Sequence, residues 1–231
     1  MPLSLGADEI KHAVLYLIAF ILCITVHEFG HAWVATRLGD PTPKSQGRVT
    51  LSPRHHIDPI GTILMPIIMA LSAAGAALPL VAWGRPVQTN PMAYTRRLSM
   101  STGRMLVSLA GPAMNLAMAV VVSLLIVVGA KVHASDELLS TAFHYLVRLN
   151  LSLMIFNLLP IPPLDGGAVL AWALPRSLHN LVDFFARYGS FILLFLVISP
   201  TLGLPMMRVI GYPIDVVTYY WARGLSMVMG S

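Results

Sequence analysis

Residues 26–31 read VHEFGH and lie inside a nearly unbroken apolar segment that runs from residue 13 to residue 36. About 24 helical residues span roughly 36 Å, enough to cross the roughly 30 Å hydrocarbon core of a bilayer with some tilt. An ionisable side chain in the middle of such a helix costs roughly 2.5 to 3.5 kcal/mol. His27, Glu28 and His31 therefore need a compensating interaction, which a bound cation would supply.

The spacing of His27 and His31 suits two ligands of one metal ion. Residues four apart lie one turn apart on the same face of an α-helix, so both imidazoles can reach one point. Glu28 lies about 100° further round, where its carboxylate can hydrogen-bond a water molecule without taking a ligand position. This HExxH spacing is typical of zinc metallohydrolases, whose catalytic metal has three protein ligands. The motif supplies two of them, and we expect the third downstream.

The composition is that of a polytopic membrane protein. The 231 residues are 56% hydrophobic and 11% charged, whereas a soluble domain has about 25% charged residues. The net charge of +5 comes from 15 Lys and Arg against 10 Asp and Glu, and eight of these cations lie between Arg37 and Arg104. Cations clustered beside apolar segments mark a cytoplasmic face, so we expect no nucleic-acid site. The single cysteine excludes an intramolecular disulfide.

The apolar segments predict an all-α polytopic membrane protein, a bundle of about four to six transmembrane helices. The predicted crossings are residues 13–36, 105–132, 141–160 and 189–207. Residues 60–82 are long enough to cross, but basic clusters flank both ends, and Pro66 and Pro79 permit a re-entrant pair of half-helices, which we favour. We expect residues 1–231 to form a single membrane-embedded domain, with a catalytic core over about 10–175 and C-terminal helices over 176–231.

A polar segment, residues 42–58, is unable to span the membrane. Its residues 48–51 alternate weakly and predict a short β-hairpin. Exposed backbone groups exclude it from lipid, so we expect it at the interface or against protein, near the active site. His55, His56 and Asp58 form a second possible metal set, but the flanking prolines break helical register, and we favour a structural role.

Residues 157–167, NLLPIPPLDGG, interrupt a transmembrane segment with three prolines in four residues. The freed carbonyls are tolerated at membrane depth only beside protein or a cavity. The cation-rich loops place the first helix with its amino terminus outside, and successive crossings then bring four polar residues to the cytoplasmic half: His31, Asn115, Asn157 and Asp165. Apart from Glu28, Asp165 is the acidic residue beside a broken transmembrane segment, so we expect it to be the third ligand.

With these motifs the chain resembles the site-2 protease family of intramembrane zinc metalloproteases, peptidase family M50. HEFGH at 27–31 and NLLPIPPLDGG at 157–167 carry the resemblance, and AGPAMN at 110–115 and GRVTLSPRHHIDPIG at 47–61 support it. The family pattern implies one zinc ion per chain, and the residues it implies as ligands are His27, His31 and Asp165. It also implies that Glu28 is the general base.

The resemblance further implies a site for an unwound substrate strand. Asn115 and Asn157 would hold the strand or polarise its carbonyl. The hairpin near the active site, with Val49 and Thr50, would bind the strand by strand addition. The chain would be a minimal form of the family, without the PDZ domain or CBS pair that many members carry.

The implied activity is hydrolysis of a peptide bond within or near the transmembrane segment of single-pass membrane proteins. The implied partners are the lipid bilayer and a substrate such as an anti-sigma factor, a membrane-tethered regulator or a remnant signal peptide. The implied location is the cytoplasmic membrane of a prokaryote, with the active site toward the cytoplasm. The sequence leaves the oligomeric state open.

Two other interpretations use the same residues. In a zinc or cation permease, the His and Asp side chains would line a transport path. A permease would show an internal repeat with ionisable residues at matching depths in both halves, and the sequence has neither. The other interpretation is a catalytically silent membrane scaffold of the same fold. The presence of Glu28 argues against a scaffold, because zinc binding alone does not need that carboxylate.

Overall fold

The computed structural model describes residues 6–65, 83–131, 136–198 and 207–229, and it is mostly helical. Within these ranges the α-helices are α1 (Ala7–Arg37), α2 (Thr42–Ser45), α3 (Met100–Lys131), α4 (Glu137–Asn157), α5 (Asp165–Ala173), α6 (His179–Ile198) and α7 (Met207–Met229). Short helical turns are formed by Pro53–His55, Pro59–Leu64, Pro91–Ala93 and Arg176–Leu178. The prediction of a helical membrane protein is confirmed.

Three helices in the described ranges, α1, α3 and α4, are long and apolar enough to cross a membrane. The expected number of four to six crossings is therefore not confirmed. The crossing predicted at 189–207 falls on the end of α6 and the start of α7, and its residues 199–206 lie outside the described ranges. The crossing or re-entrant pair predicted at 60–82 lies mostly outside them as well, since residues 66–82 are not described.

The β-hairpin predicted over residues 42–58 is not confirmed, because this segment contains no strand. After α2, Gly47 adopts a φ of 67°, and the Arg48 N–H donates to a carbonyl of α2 at 2.8 Å. The chain therefore folds back on α2 instead of extending. The carbonyl of Thr50 accepts from His56 Nε2 at 2.8 Å, so a side chain takes the place of a partner strand. Weak alternation was too little to specify a hairpin against these local contacts.

Helix α3 lies at the centre of the bundle and packs against α1, α4, α5 and α7. The largest buried cluster comprises Ala19, Phe20, Cys23, Ile24, Ala119, Val122, Leu146, Val147, Leu149 and Leu151. Near the middle of the α1–α3 contact, a Cβ added to Gly30 would lie 2.6 Å from the carbonyl oxygen of Ala110. A glycine here lets the two backbones approach closely, as small residues do in membrane helix pairs. The HEFGH segment is thus pressed against α3.

Residues 83–90 have no regular secondary structure and lie against α1 and the 42–58 segment. The Arg85 N–H donates to the His56 carbonyl at 2.8 Å. The buried guanidinium of Arg48 donates to the carbonyls of Arg85, at 3.2 Å, and Pro86, at 3.5 Å. These contacts fix the segment across the bundle, close to the HEFGH residues.

His56 has a structural role in this region. Its ring is fully buried, and Nε2 donates to the Thr50 carbonyl. Burial lowers the pKa of His56 below its ordinary value, more than the bond to the carbonyl raises it, so the ring is neutral at pH 7. Asp58 caps the next helical turn by accepting from the N–H groups of Ile60 and Gly61. These bonds support the structural interpretation of both residues over a second metal set.

The buried carboxylate of Asp40 joins the end of α1 to the 83–90 segment. Its Oδ1 accepts from the Thr42 N–H at 2.9 Å, and its Oδ2 accepts from the Asn90 N–H at 2.5 Å. Asp40→Ala removes the acceptor of both N–H groups, and a hydrogen bond to a charged group contributes roughly 1.5 to 3 kcal/mol. We expect the free energy of unfolding to fall by about 2 kcal/mol or more, which thermal unfolding in detergent would measure as a lower melting temperature.

The matched control is Asp183→Ala, which removes an exposed carboxylate from α6. Its melting temperature should stay near that of the unsubstituted protein. An equal drop in both variants would show that the loss of negative charge is responsible, and the proposed role of the two Asp40 hydrogen bonds would be wrong.

Candidate metal centre

The structure brings together the three residues predicted to bind metal. His27 and His31 project from one face of α1, with their Nε2 atoms 3.0 Å apart. Asp165, the first residue of α5, places Oδ2 3.2 Å from His27 Nε2 and 3.4 Å from His31 Nε2. Within the described ranges this is the one group of three or more His, Cys, Asp or Glu residues whose ligand atoms lie within 4.8 Å of one another.

The geometry of this group fits a tetrahedral zinc ion. Bond lengths of about 2.0 to 2.1 Å place neighbouring tetrahedral ligand atoms about 3.3 Å apart, close to the three distances observed. Asp165 Oδ2 is also buried without a hydrogen-bond partner in the described part of the chain. A buried carboxylate oxygen without a partner is costly, and a cation between the three side chains would remove that cost. Two imidazole nitrogens and one carboxylate oxygen are a donor set that zinc accepts.

Hydrogen bonds orient the two imidazoles from behind. His31 Nδ1 lies 2.7 Å from the Val107 carbonyl, which can only accept, so Nδ1 carries the proton and Nε2 keeps its lone pair for a metal. His27 Nδ1 lies 3.4 Å from the side-chain amide of Asn115, on α3. Asn115 is fully buried, and its Oδ1 has no hydrogen-bond partner in the described residues. The structure therefore places Asn115 at the Nδ1 side of the His27 ring, away from the Nε2 atom that faces Asp165.

Gly111, also on α3, makes room for both imidazoles. A Cβ at this position would meet Nε2 of His31 and would lie 2.7 Å from Cε1 of His27. The rings thus pack directly on the backbone of α3. In the sequence, Gly111 is visible only as part of AGPAMN, and a small residue there has many possible meanings. Its role depends on which helix faces it, which the motif alone does not specify.

The proline-rich interruption delivers Asp165 to the two histidines. Helix α4 ends at Asn157, and a tight turn follows in which the Leu164 N–H donates to the Ile161 carbonyl at 3.0 Å. A Cβ on Gly166 would collide with the carbonyls of Leu158 and Leu159, so only glycine lets α5 start directly against this turn. The sequence DGG thus sets Asp165 at the first position of α5 while its neighbours pack on the turn.

Glu28 is held by a residue that the sequence did not identify. The Val87 backbone N–H donates to Glu28 Oε2 at 2.9 Å, so the 83–90 segment fixes the carboxylate of the HEFGH motif. Any residue except proline can supply a backbone N–H, so no side-chain pattern could have revealed this role.

In the described part of the chain, no hydrogen bond or ion pair joins the remaining predicted residues to this group. The Asn157 amide donates to the Leu153 carbonyl, one turn earlier in α4, at 2.9 Å. Its predicted role toward substrate stays a prediction. Val49 and Thr50 lie beside Trp33 of α1, in a segment that offers no strand edge for strand addition.

An HExxH helix and an aspartate that converge inside a bundle of membrane helices define a membrane-embedded metallohydrolase centre. The sequence profile of "Peptidase family M50" matches residues 15–138 and 128–199. The chain belongs to this family of metalloproteases, which confirms the resemblance of its motifs.

Curated relatives agree with this assignment. The chain is 36% identical over 190 residues to "Putative zinc metalloprotease YwhC" of Bacillus subtilis, a match that covers 80% of each chain. It is 32% identical over 216 residues to "Putative zinc metalloprotease Rip2" of Mycobacterium tuberculosis, covering 93% of this chain and 75% of the relative. The Rip2 of Mycolicibacterium smegmatis is 30% identical over 190 residues, covering 82% and 69%. No solved structure gives a significant match.

Gly111→Ala should disturb the metal centre without touching a ligand. The added Cβ would force both imidazoles away from α3. We expect purified Gly111→Ala to hold less than half of the zinc of the unsubstituted protein, as measured by elemental mass spectrometry. Gly129→Ala is the matched control, because a Cβ on this other glycine of α3 would meet no atom within 4 Å. Full zinc content in Gly111→Ala would show that the imidazoles do not pack here.

Proposed function

We propose that this protein is an intramembrane zinc metalloprotease that cleaves single-pass membrane proteins within or near their transmembrane segment. The observation that carries the proposal is the convergence of His27, His31 and Asp165 inside a bundle of apolar helices. His31 is six residues before the end of α1, about 9 Å along the axis, so the group lies within the bilayer near one face. Arg37 and the cations that follow support the cytoplasmic face.

His27, His31 and Asp165 would hold the metal. A bound zinc ion supplies Lewis-acid chemistry, polarising a carbonyl and lowering the pKa of water. Glu28 is the next residue after a ligand, and its Oε2 is fixed by Val87. Its Oε1 accepts no hydrogen bond from the described residues, so it is available to take a proton from water as the general base.

The substrate must arrive with part of its transmembrane helix unwound. Carbonyls in a helix are already hydrogen-bonded and enclosed by their own turn, so an intact helix presents no peptide bond to the site. The substrate classes that fit this proposal are anti-sigma factors, membrane-tethered regulators and remnant signal peptides. Asn157, at the end of α4 and beside the turn that carries Asp165, is the residue we propose to contact the substrate strand.

We assign Asn115 a positioning role instead of contact with substrate. For His27 Nε2 to bind metal, Nδ1 must carry the proton and needs an acceptor. Rotating the Asn115 amide by 180° exchanges its oxygen and nitrogen within nearly the same shape and brings Oδ1 to His27 Nδ1. The oxygen of Asn115, which lacks a partner among the described residues, then accepts that proton. The Asn115 side chain would thus accept the Nδ1 proton of His27, as the Val107 carbonyl accepts the Nδ1 proton of His31.

The activity is tested by two substitutions and two measurements. Glu28→Gln should keep about one zinc per chain but lose cleavage of a single-pass substrate in proteoliposomes, because the amide is unable to accept a proton. Asp165→Ala should lose both zinc and cleavage, since two histidines alone bind zinc weakly. Cleavage by Glu28→Gln would contradict the mechanism.

Two further outcomes would overturn other parts of the proposal. Zinc uptake into sealed vesicles that survives Glu28→Gln would indicate a permease. Zinc content unaffected by Asp165→Ala would exclude Asp165 as ligand.

The Asn115 assignment predicts an effect on zinc affinity. Asn115→Ala removes the acceptor for His27 Nδ1–H, and loss of such a partner weakens metal binding by about 10- to 100-fold. Asn115→Asp keeps an oxygen at that position and should bind zinc far more tightly than Asn115→Ala. Competition with a chelator of known affinity gives the dissociation constants. If Asn115→Ala binds zinc as tightly as the unsubstituted protein while cleavage falls, Asn115 acts on the substrate instead.

A further inference from the structure

A second concave site lies at the end of α1. It is a cavity of about 530 Å³, lined by Trp33, Thr36, Arg37, Lys44, Gly47, Val49, Thr50 and His55. Small-molecule sites in proteins occupy roughly 300 to 1,000 Å³, so the cavity is large enough for a small ligand or a lipid headgroup. None of the residues that line it belongs to the candidate metal centre.

The cavity and the metal centre lie on opposite faces of α1. At 100° per residue, Thr36, Trp33 and Arg37 point about 140°, 200° and 240° away from His31. The direction midway between these three is therefore nearly opposite to the imidazole. A ligand in the cavity would approach α1 from the side that faces away from α3, where the metal ligands pack.

The lining is rich in hydrogen-bond donors and contains no carboxylate. Arg37 and Lys44 contribute two positive charges, and Lys44 offers three donors. The Arg54 Nε–H donates to His55 Nε2 at 3.2 Å, so the single N–H proton of the His55 ring is on Nδ1. This nitrogen lies next to Gly47, because a Cβ added to Gly47 would be 3.7 Å from His55 Nδ1. Thr50 Oγ1 accepts from the Ser52 N–H, which leaves its own proton free to donate. Such a lining selects an anion with several acceptor oxygens.

The position of the cavity favours an anion at the membrane surface. It lies where the membrane-spanning helix α1 ends, at the depth of lipid headgroups. Trp33 is 42% exposed, and the Arg37 guanidinium lies 5.2 Å from its ring centroid. Tryptophan and cationic side chains are enriched at this depth. Val49 and the Trp33 ring give the cavity apolar walls beside its charged groups, which suit a headgroup joined to acyl chains.

We propose that this cavity binds the phosphate of an anionic phospholipid headgroup. Arg37 and Lys44 supply the charge, Thr50 and His55 supply neutral donors, and Trp33 forms the wall against which the glycerol region packs. The proposal concerns the opposite face of α1 from the metal centre and does not depend on the proposed proteolysis.

The test measures retention of phosphatidylglycerol by the full chain in native mass spectrometry, with phosphatidylcholine as the uncharged comparison. The pocket variant is Arg37→Gln/Lys44→Gln, which changes two exposed side chains. The control is Arg96→Gln/Arg97→Gln, which removes the same charge from two exposed positions at the same end of the bundle, since the Thr95 N–H donates to the carbonyl that follows α1. Two cations near a membrane surface support roughly tenfold or more in affinity for an anionic lipid.

We expect the unsubstituted protein and the control to retain phosphatidylglycerol over phosphatidylcholine, and the pocket variant to retain at least tenfold less. Equal loss in pocket variant and control would mean general surface attraction and would overturn the proposal. The proposal would also be overturned if inorganic phosphate displaced the bound lipid as effectively as added phosphatidylglycerol does. That result would identify a free anion as the ligand. Zinc content and thermal unfolding of each variant verify that it is folded, and Lys44→Gln alone replaces the double variant if that fails to fold.

Discussion

The fold is constrained above all by ionisable side chains at a depth where water is scarce. Two imidazoles and two carboxylates lie within or beside the apolar helices, and each would be costly alone. The structure gathers His27, His31 and Asp165 around one point and ties Glu28 to a backbone N–H. The features that serve this arrangement include the glycines of the α1–α3 contact and the broken chain after α4. A metal ion bound by the three side chains would thus contribute to the energetics of the fold as well as to its chemistry.

The close contact of α1 with α3 shows how packing produces chemistry. Gly30 and Gly111 let the helices approach until the imidazoles lie on the opposite backbone. At that separation Val107 and Asn115 reach the Nδ1 atoms, so one helix orients both imidazoles of the other. A larger residue at either glycine would separate the helices and remove the partners of both rings. The same small residues that allow dense packing in a membrane therefore determine which ring nitrogens can face a metal.

Much of this site could be predicted from sequence because its signals are local or costly. Helical periodicity alone places the two histidines of HExxH on one face of α1, and Asp165 stands out as an acidic residue beside a proline-broken membrane segment. Contacts between distant segments left weaker signals. The bond from Val87 to Glu28 uses the backbone, so no residue type marks it. The predicted hairpin at 42–58 rested on weak alternation. In the structure the chain instead turns at Gly47, and the His56 side chain bonds the Thr50 carbonyl where a partner strand would lie.

Arg48 connects the two faces of α1. Its neighbours in sequence, Gly47 and Val49, line the cavity, and its guanidinium donates to the carbonyls of Arg85 and Pro86. The next N–H along the chain, that of Val87, donates to the Glu28 carboxylate. Hydrogen bonds and short stretches of backbone therefore link the residues beside the cavity to the proposed general base. A ligand shifts a conformational equilibrium only by the difference in its affinity for the two states. A headgroup in the cavity would therefore influence Glu28 through two arrangements of the 83–90 segment that differ in their affinity for the headgroup.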